Sequence, residues 1–278
     1  MSELPVLWHL KVSHYNEKAR WALDYKGVPH LRRAVTPGAH RPVARRLTGG
    51  TTLPILELDG RAIGDSTAII AELERRQPRP ALYPADPVER GRALDLEELF
   101  DEELGPCTRL LFIHHVLPDR DLTRRAFTPD ASLRQRVAGT LTWPLIRRRT
   151  IAAFGIDAAS VEHAFRTVRA VGERFQAEVG PDGYLVGDAF TIADLTLASL
   201  VSPVVAPEQF PYPQPQRGHP LVAPVVEAIA ESGMADWARS MYARHRGESA
   251  EVVPERGRSA SGHYHRRSRR DLAPPAAR

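Results

Sequence analysis

Asp65, Ser66 and Thr67 place a carboxylate and two hydroxyls directly ahead of the apolar run Ala68-Ile69-Ile70. An acid or hydroxyl in that position caps a helix. A helix start also exposes unpaired N–H groups and a partial positive charge, so the same spot can hold a small anionic ligand. The segment leading to it, 53–64, reads as strand, tight turn and strand, with Pro54 opening the first strand and Asp59-Gly60 as the hairpin signal. Two other groups invite chemistry and do not sustain it. Adjacent helical residues point about 100° apart, so His114-His115 does not chelate as an i,i+4 pair would. Cys107 is the single cysteine, which excludes an internal disulfide, a Cys-based metal cluster and a dithiol redox motif. It is expected to be structural, and no metal is expected.

These residues need elements to position them. Val6–Leu10 is a short apolar strand candidate, followed by a helix with Ala19, Ala22 and Leu23 on one side and Trp21 and Tyr25 on another; Gly27 stops it. Lys18 and Arg20 are expected on a solvated face of that helix. Leu31–Val35 is a second strand, followed by a basic loop, the hairpin 53–63 and a helix from about 66 to 76. The order is βαβ then ββα. Residues 77–87 (QPRPALYPADP) cannot sustain a helix and mark a domain boundary.

Beyond the boundary the pattern is helical. Asp86-Pro87 is a cap followed by a helix-compatible proline, and Thr128-Pro129 repeats the signature. Leu96, Leu99, Phe100 and Leu104 recur at helical spacing, as do Val161, Ala164, Phe165, Val168, Phe175 and Val179. Thr191-Ile192-Ala193-Asp194 is a variant capping box, with Phe190 and Leu195 at the hydrophobic-staple spacing. Residues 203–220 are a Pro-rich loop, and helices at 221–232 and 234–245 close the domain.

Taken in order, SHYNEKARWAL (13–23), TLPIL (52–56), GDSTAI (64–69) and YLVGDAFTIADL (184–195) resemble the glutathione S-transferase family over residues 4 to about 245. The resemblance implies an α/β thioredoxin-like domain at 1–80 and an all-helical domain at 86–246. It implies that Asp65 and Ser66, with Thr67 adjacent, grip the γ-glutamyl end of glutathione, the alternative being that they only cap the helix. It implies a cis Pro54 that turns the Leu53 backbone toward the cysteinyl part of the ligand, against a trans proline starting an edge strand. It implies a hydroxyl donor to the glutathione sulfur: Ser13 is the candidate and Tyr15 the rival. A helix cap and a core aromatic are their respective structural alternatives. Asn16 stands where redox relatives carry a second cysteine and cannot resolve a disulfide. His40 and Arg41 fall where relatives place basic residues over the glycyl carboxylate.

The expected activity is conjugation of glutathione, as cosubstrate, to a small electrophile. The alternatives are a glutathione-dependent isomerase and a binding module that keeps the fold without catalysis. The Arg-, Ala- and Pro-rich, Lys-poor composition is that of GC-rich coding, and some such bacteria use other low-molecular-weight thiols. The electrophile is expected between the domains, with Leu99, Leu110 and Phe112 as lining candidates. A homodimer is expected, and the 113–160 region with Arg147-Arg148-Arg149 departs from a minimal helical domain. The pI of about 9.4 does not signal a nucleic-acid binder. Residues 255–278 hold seven Arg against Glu255 and Asp271, a charge of +5. The whole chain carries +4, which leaves −1 for residues 1–254. From about 247 the chain reads as a disordered basic tail. No run approaches a membrane span and no signal peptide is evident, so the cytoplasm is the expected compartment.

Overall fold

The computed structural model describes residues 3–253 of the chain. Strand β1 (Val6–His9) leads into helix α1 (His14–Tyr25) and strand β2 (Leu31–Ala34); α2 (His40–Thr48), β3 (Ile55–Leu58), β4 (Arg61–Gly64) and α3 (Ser66–Arg76) follow. The four strands lie in the order β2-β1-β3-β4, with β1 parallel to β2 and antiparallel to β3, and β3 antiparallel to β4. Helices α1 and α3 cover one face of this mixed sheet. Helix α2 covers the other through Ala44, which packs with Leu53 and Ile55. The basic loop expected after β2 therefore contains a helix. The basic residues of His40–Thr48 hid it, because only Ala44 of that helix is buried.

Segment 77–86 carries no helix or strand, and the rest of the fold is helical. Helix α4 (Pro87–Leu99) is capped by Asp86 and passes through one π-helical turn, Phe100–Leu104, into α5 (Gly105–Val116). Then come α6 (Arg120–Phe127), α7 (Leu133–Phe154), α8 (Ala158–Glu178), α9 (Ile192–Val205), α10 (Ala223–Ala230) and α11 (Met234–His245). Thr128-Pro129 does not begin a helix: Thr128 closes α6, and Ser132 caps α7 with Gln135 in a reciprocal box. This architecture, a thioredoxin-like α/β part followed by an all-helical part, is the one the sequence led us to expect.

Helix α9 is buried along its whole length and forms the axis of the helical part. That follows from a sequence apolar on all sides, IADLTLASLVSPVV, whose only charge is Asp194. Asp194 accepts hydrogen bonds from the Leu185 amide at 2.9 Å and from the Thr191 amide and hydroxyl at 2.8 Å each. Beside it, Phe190 stacks on Trp21 of α1, and Trp21 packs against Tyr242 of α11. One aromatic cluster thus joins the two parts of the chain.

Helix α1 is not amphipathic in the expected sense. Lys18 and Arg20 are both fully buried, as is Glu17, and Asp24 is nearly so. The sheet lies on one side of α1 and the helical part on the others, so no solvated face remains. Each charge has an opposite. Lys18 meets Glu97 at 2.7 Å and also Asp101, on α4 and the π turn. Glu17 pairs with Arg20 and with Arg246, each at 2.7 Å. Arg246 also holds Asp24 at 2.7 Å, and Arg32 holds Asp24 from the other side at 2.5 Å.

The same network orders the beginning of the expected basic tail. The Ala250 amide donates to Asp24 at 2.9 Å, and Glu251 forms a parallel bridge with His30 beside β2. Order therefore extends past 247, because Asp24 offers acceptors at the edge of the sheet. The remainder of the tail, 254–278, lies outside the described residues.

Removing one partner of a buried ion pair leaves the other charge stranded and costs about 3–5 kcal/mol. Arg246→Met is therefore expected to lower the unfolding free energy by that amount in a urea titration; a loss below about 1 kcal/mol would mean that water already solvates the network. Burial works against the charge on Asp24, but Arg246 and Arg32 outweigh it and hold its carboxyl below the ordinary range. Such a group stabilises the fold above the unfolded pKa of about 3.9 and loses that contribution as pH falls through the lower folded value. The acid limb of the wild-type stability curve below about pH 4 should thus be shallower in Arg246→Met.

Candidate functional site

A cleft of about 1680 Å³ runs between the sheet domain and the helices. From the sheet side it is lined by Ser13, Leu53, Pro54, Asp65, Ser66 and Thr67, with His40 and Arg41 at its margin. Sequence positions 13, 53 and 66 thus converge because β1 ends, and β3 and α3 begin, at one edge of the sheet.

Ser13 occupies the N-cap of α1 but makes no side-chain capping bond. Its oxygen instead accepts a hydrogen bond from the Asn16 side-chain amide at 2.8 Å. Asn16 is fully buried and its orientation is fixed by its neighbours. The Leu10 N–H can only donate, so it holds Oδ1 at 2.8 Å, which leaves Nδ2 for the Ser13 hydroxyl and for the Leu53 carbonyl at 2.9 Å. One side chain therefore ties the start of α1 to the Leu53-Pro54 segment. The Leu53-Pro54 peptide bond is cis. A hydroxyl that accepts from an amide keeps its own proton available, and the half-buried Ser13 faces the cleft with it.

Asp65 stands at φ 74°, a left-handed conformation unusual for a residue other than glycine and costing about 1–3 kcal/mol. Its carboxylate caps α3 by accepting from the Thr67 amide at 2.9 Å and the Ala68 amide at 3.2 Å. The Ser66 hydroxyl meets no partner among the described residues. The Thr67 hydroxyl is engaged elsewhere: it accepts from Lys18 Nζ at 2.9 Å and lies 2.9 Å from carboxylate oxygens of both Glu97 and Asp101.

Tyr15 points toward the helical side. Its hydroxyl donates to the Asp101 carbonyl at 2.6 Å, and burial together with the Asp101 charge pushes its pKa upward. Gly105 is required there, since a Cβ at that position would overlap the Tyr15 hydroxyl. His14, which the sequence did not single out, is buried with Nε2 on the Gly105 carbonyl at 2.8 Å. Desolvation pulls its pKa down to about 3, so it is neutral and its proton is committed to that carbonyl. His40 opens α2 and its Nδ1 accepts from the Gly38 amide at 3.0 Å; burial lowers its pKa. Arg41 beside it is exposed.

On the helical side Phe112 lines the cleft, whereas Leu99 and Leu110 pack against the core. Arg109, Arg120, Arg136 and Trp143 line it too, and sequence reasoning passed over them because each resembles an ordinary helix-surface residue. The rings of His114 and His115 lie edge to face, 5.0 Å apart. Burial raises the thiol pKa of Cys107. No helix among the described residues is long and apolar enough to cross a membrane.

Asn16→Ala would strand the Leu10 amide and remove a donor from the Leu53 carbonyl. A buried polar group left unpaired costs about 1–3 kcal/mol. The urea midpoint should fall accordingly, and a loss under about 0.5 kcal/mol would show that water replaces the amide.

The family model for the glutathione S-transferase N-terminal domain matches residues 7–81, and that for the C-terminal domain matches residues 136–232. A probable maleylacetoacetate isomerase 1 of Drosophila melanogaster is 30% identical over 124 residues, which are 42% of this chain and 50% of that protein. The match thus spans half the length of that curated relative. Among solved structures, a glutathione transferase from Phanerochaete chrysosporium superposes with a TM-score of 0.58 at 16% identity, covering 89% of this chain and 99% of that one. A beta-etherase from Sphingobium sp. strain SYK-6 superposes with a TM-score of 0.57 at 19% identity, covering 83% and 98%. At such identities the superpositions speak to the fold alone.

Proposed function

The chain belongs to the glutathione S-transferase family, and from that premise we propose that it is a thiol-dependent enzyme that joins glutathione, or a related small thiol, to an electrophile in the cleft. The observation that carries this reading is the convergence of the Ser13 hydroxyl, the Leu53 backbone and Ser66 on one cleft, with Asn16 joining the first two.

Each group has a task suited to its geometry. The Ser66 hydroxyl and the start of α3 receive the γ-glutamyl carboxylate, and the free oxygen of Asp65 faces the neighbouring ammonium. The Leu53 backbone pairs with the cysteinyl residue as an added strand would. His40 and Arg41 border the glycyl end. Ser13 donates to the sulfur, because its own oxygen already accepts from Asn16. A donor on the sulfur favours the charged form and lowers the thiol pKa, and the α1 N-terminus acts in the same sense. The thiol proton passes to water, and the thiolate forms a C–S bond at the electrophilic carbon as that carbon either releases a leaving anion or gives up the π bond of a conjugated alkene, whose carbanion takes a proton from water. Tyr15 is the weaker donor candidate, since its proton is engaged by the Asp101 carbonyl.

Isomerisation is supported to the same degree by the similarity to a probable maleylacetoacetate isomerase. In that reaction the thiolate adds to a conjugated double bond, the bond rotates, and the thiolate leaves unchanged. Both readings use the same residues and differ only in whether the C–S bond persists. Residues 1–80 form the thiol-binding domain in this account and 86–246 the domain that bears the acceptor.

Calorimetric titration with glutathione and other cellular thiols tests binding, and turnover of Ser13→Ala tests catalysis. A hydrogen bond to a charged group contributes about 1.5–3 kcal/mol, so Ser13→Ala should cut kcat/KM by about tenfold to a hundredfold while thiol affinity changes little. Tyr15→Phe should leave kcat/KM within a few fold. If Tyr15→Phe removes turnover and Ser13→Ala does not, the donor is the tyrosine. Binding without any turnover would leave a module that retains only the thiol site.

A further inference from the structure

Charge in the cleft is segregated by element. The α4 side and the π turn contribute Glu97, Glu98, Asp101 and Glu102. Helices α5, α6 and α7 contribute Arg109, Arg120, Arg124 and Arg136. The acids that lie among these arginines are already neutralised: Asp121 is held by Arg124 and Arg125, and Asp130 by Lys11. Among the described residues no carboxylate stands within ion-pair distance of Arg109, Arg120 or Arg136. On the acidic side Lys18 answers Glu97 and Asp101, which leaves Glu98 and Glu102 without a cationic partner there.

Arg109 lies one turn along α5 from Gly105, whose carbonyl holds His14 in the first turn of α1. Its charge reaches His14 and Tyr15, the two residues that follow Ser13. Its guanidinium lies over the Phe154 ring of α7, 5.5 Å from the centroid. Phe112, Phe127 and Trp143 line the same side of the cleft. A guanidinium stacked on a ring keeps its planar fork ordered at low entropic cost and remains able to receive a planar anion in two parallel hydrogen bonds. The apolar rings beside it suit a flat, unsaturated body.

We propose that the acceptor substrate is a carboxylate on an aromatic or conjugated body, and that Arg109 binds the carboxylate while the aromatic wall takes the body. The assignment rests on reading the cleft as the thiol-transfer site, and it names the acceptor class for that site. The unpaired Glu98 and Glu102 orient such a molecule. They repel the carboxylate from the α4 side, so the charged end goes to α5–α7 and the electrophilic end is left toward Ser13. A neutral electrophile of the same shape keeps the aromatic contacts and gains nothing from either set of charges. Arg120 and Arg136 add a longer-range attraction for anions entering from that side.

The test uses two probes of one shape that differ by a charge, 4-nitrobenzoate and 4-nitrobenzamide, titrated calorimetrically into the full-length protein. The benzoate should bind about tenfold or more tightly than the amide, the range expected for hydrogen bonds to a charged group. Arg109→Gln should remove that preference by weakening the benzoate alone, and Arg109→Lys should retain part of it through the charge without the fork. Thermal midpoints of both variants should match the wild type, since Arg109 is exposed. Equal affinity for the two probes, no binding of either, or an equal loss of both in Arg109→Gln overturns the proposal. A glutathione titration of the same preparation separates the two levels. Glutathione binding without benzoate preference removes the anion site and leaves the thiol reading. Benzoate preference without thiol binding removes the thiol reading and leaves the anion site.

Discussion

Helix α1 buries four formal charges, on Glu17, Lys18, Arg20 and Asp24, and the rest of the fold is arranged around neutralising them. An isolated buried charge is prohibitively costly, so each must meet a partner of opposite sign within hydrogen-bond reach. The partners come from distant parts of the chain. Glu97 and Asp101 answer Lys18 from the helical part, and Arg246 answers Glu17 and Asp24 from just beyond α11. The sheet domain and the helices are therefore linked by charge as well as by the Trp21–Phe190–Tyr242 cluster. Apolar packing alone tolerates sliding; a set of paired charges fixes one register. That register sets the width of the cleft between the two parts.

The candidate site inherits its geometry from the same contacts. Lys18 holds the Thr67 hydroxyl, which pins the start of α3 beside Ser66. Asn16, two residues earlier on α1, holds the Ser13 hydroxyl and the Leu53 carbonyl. One turn of a single helix thus positions both ends of the candidate site on the sheet side. Tyr15 and His14, from the same turn, are instead directed at the π turn and α5, where the Asp101 and Gly105 carbonyls take their hydrogen bonds. The strained backbone at Asp65 belongs to this arrangement, since it lets the carboxylate cap α3 while Ser66 faces the cleft.

The order of elements was legible in the sequence because it rests on local signals. Asp59-Gly60, Asp86-Pro87 and the Thr191–Asp194 box each act within a few residues, and each appears where it was read. The convergence of Ser13, Leu53 and Ser66 was legible through resemblance to a family, not through spacing. What stayed hidden depends on contacts made at long range. Lys18 and Arg20 read as solvated because periodicity assumes one buried face, whereas α1 is enclosed on every side. Helix α2 read as loop because a single buried alanine gives no stripe. The pairing of Glu251 with His30 spans almost the whole chain, and no local pattern announces it. Arg109 escaped notice for a related reason: an arginine becomes informative only when the aromatic ring beneath it is seen, together with the lack, among the described residues, of a carboxylate within ion-pair distance.

The central claim is that Ser13, its oxygen already accepting from Asn16, donates a hydrogen bond to a thiol sulfur and so stabilises the thiolate. Ultraviolet titration of the thiolate in the glutathione complex reads this directly, without reference to any acceptor. The wild-type complex should show a thiol pKa clearly below the value of about 8.5 typical of a free cysteine side chain. Ser13→Ala should return it toward that value with glutathione still bound. An identical, depressed pKa in the two complexes would contradict the account and place the stabilising donor elsewhere.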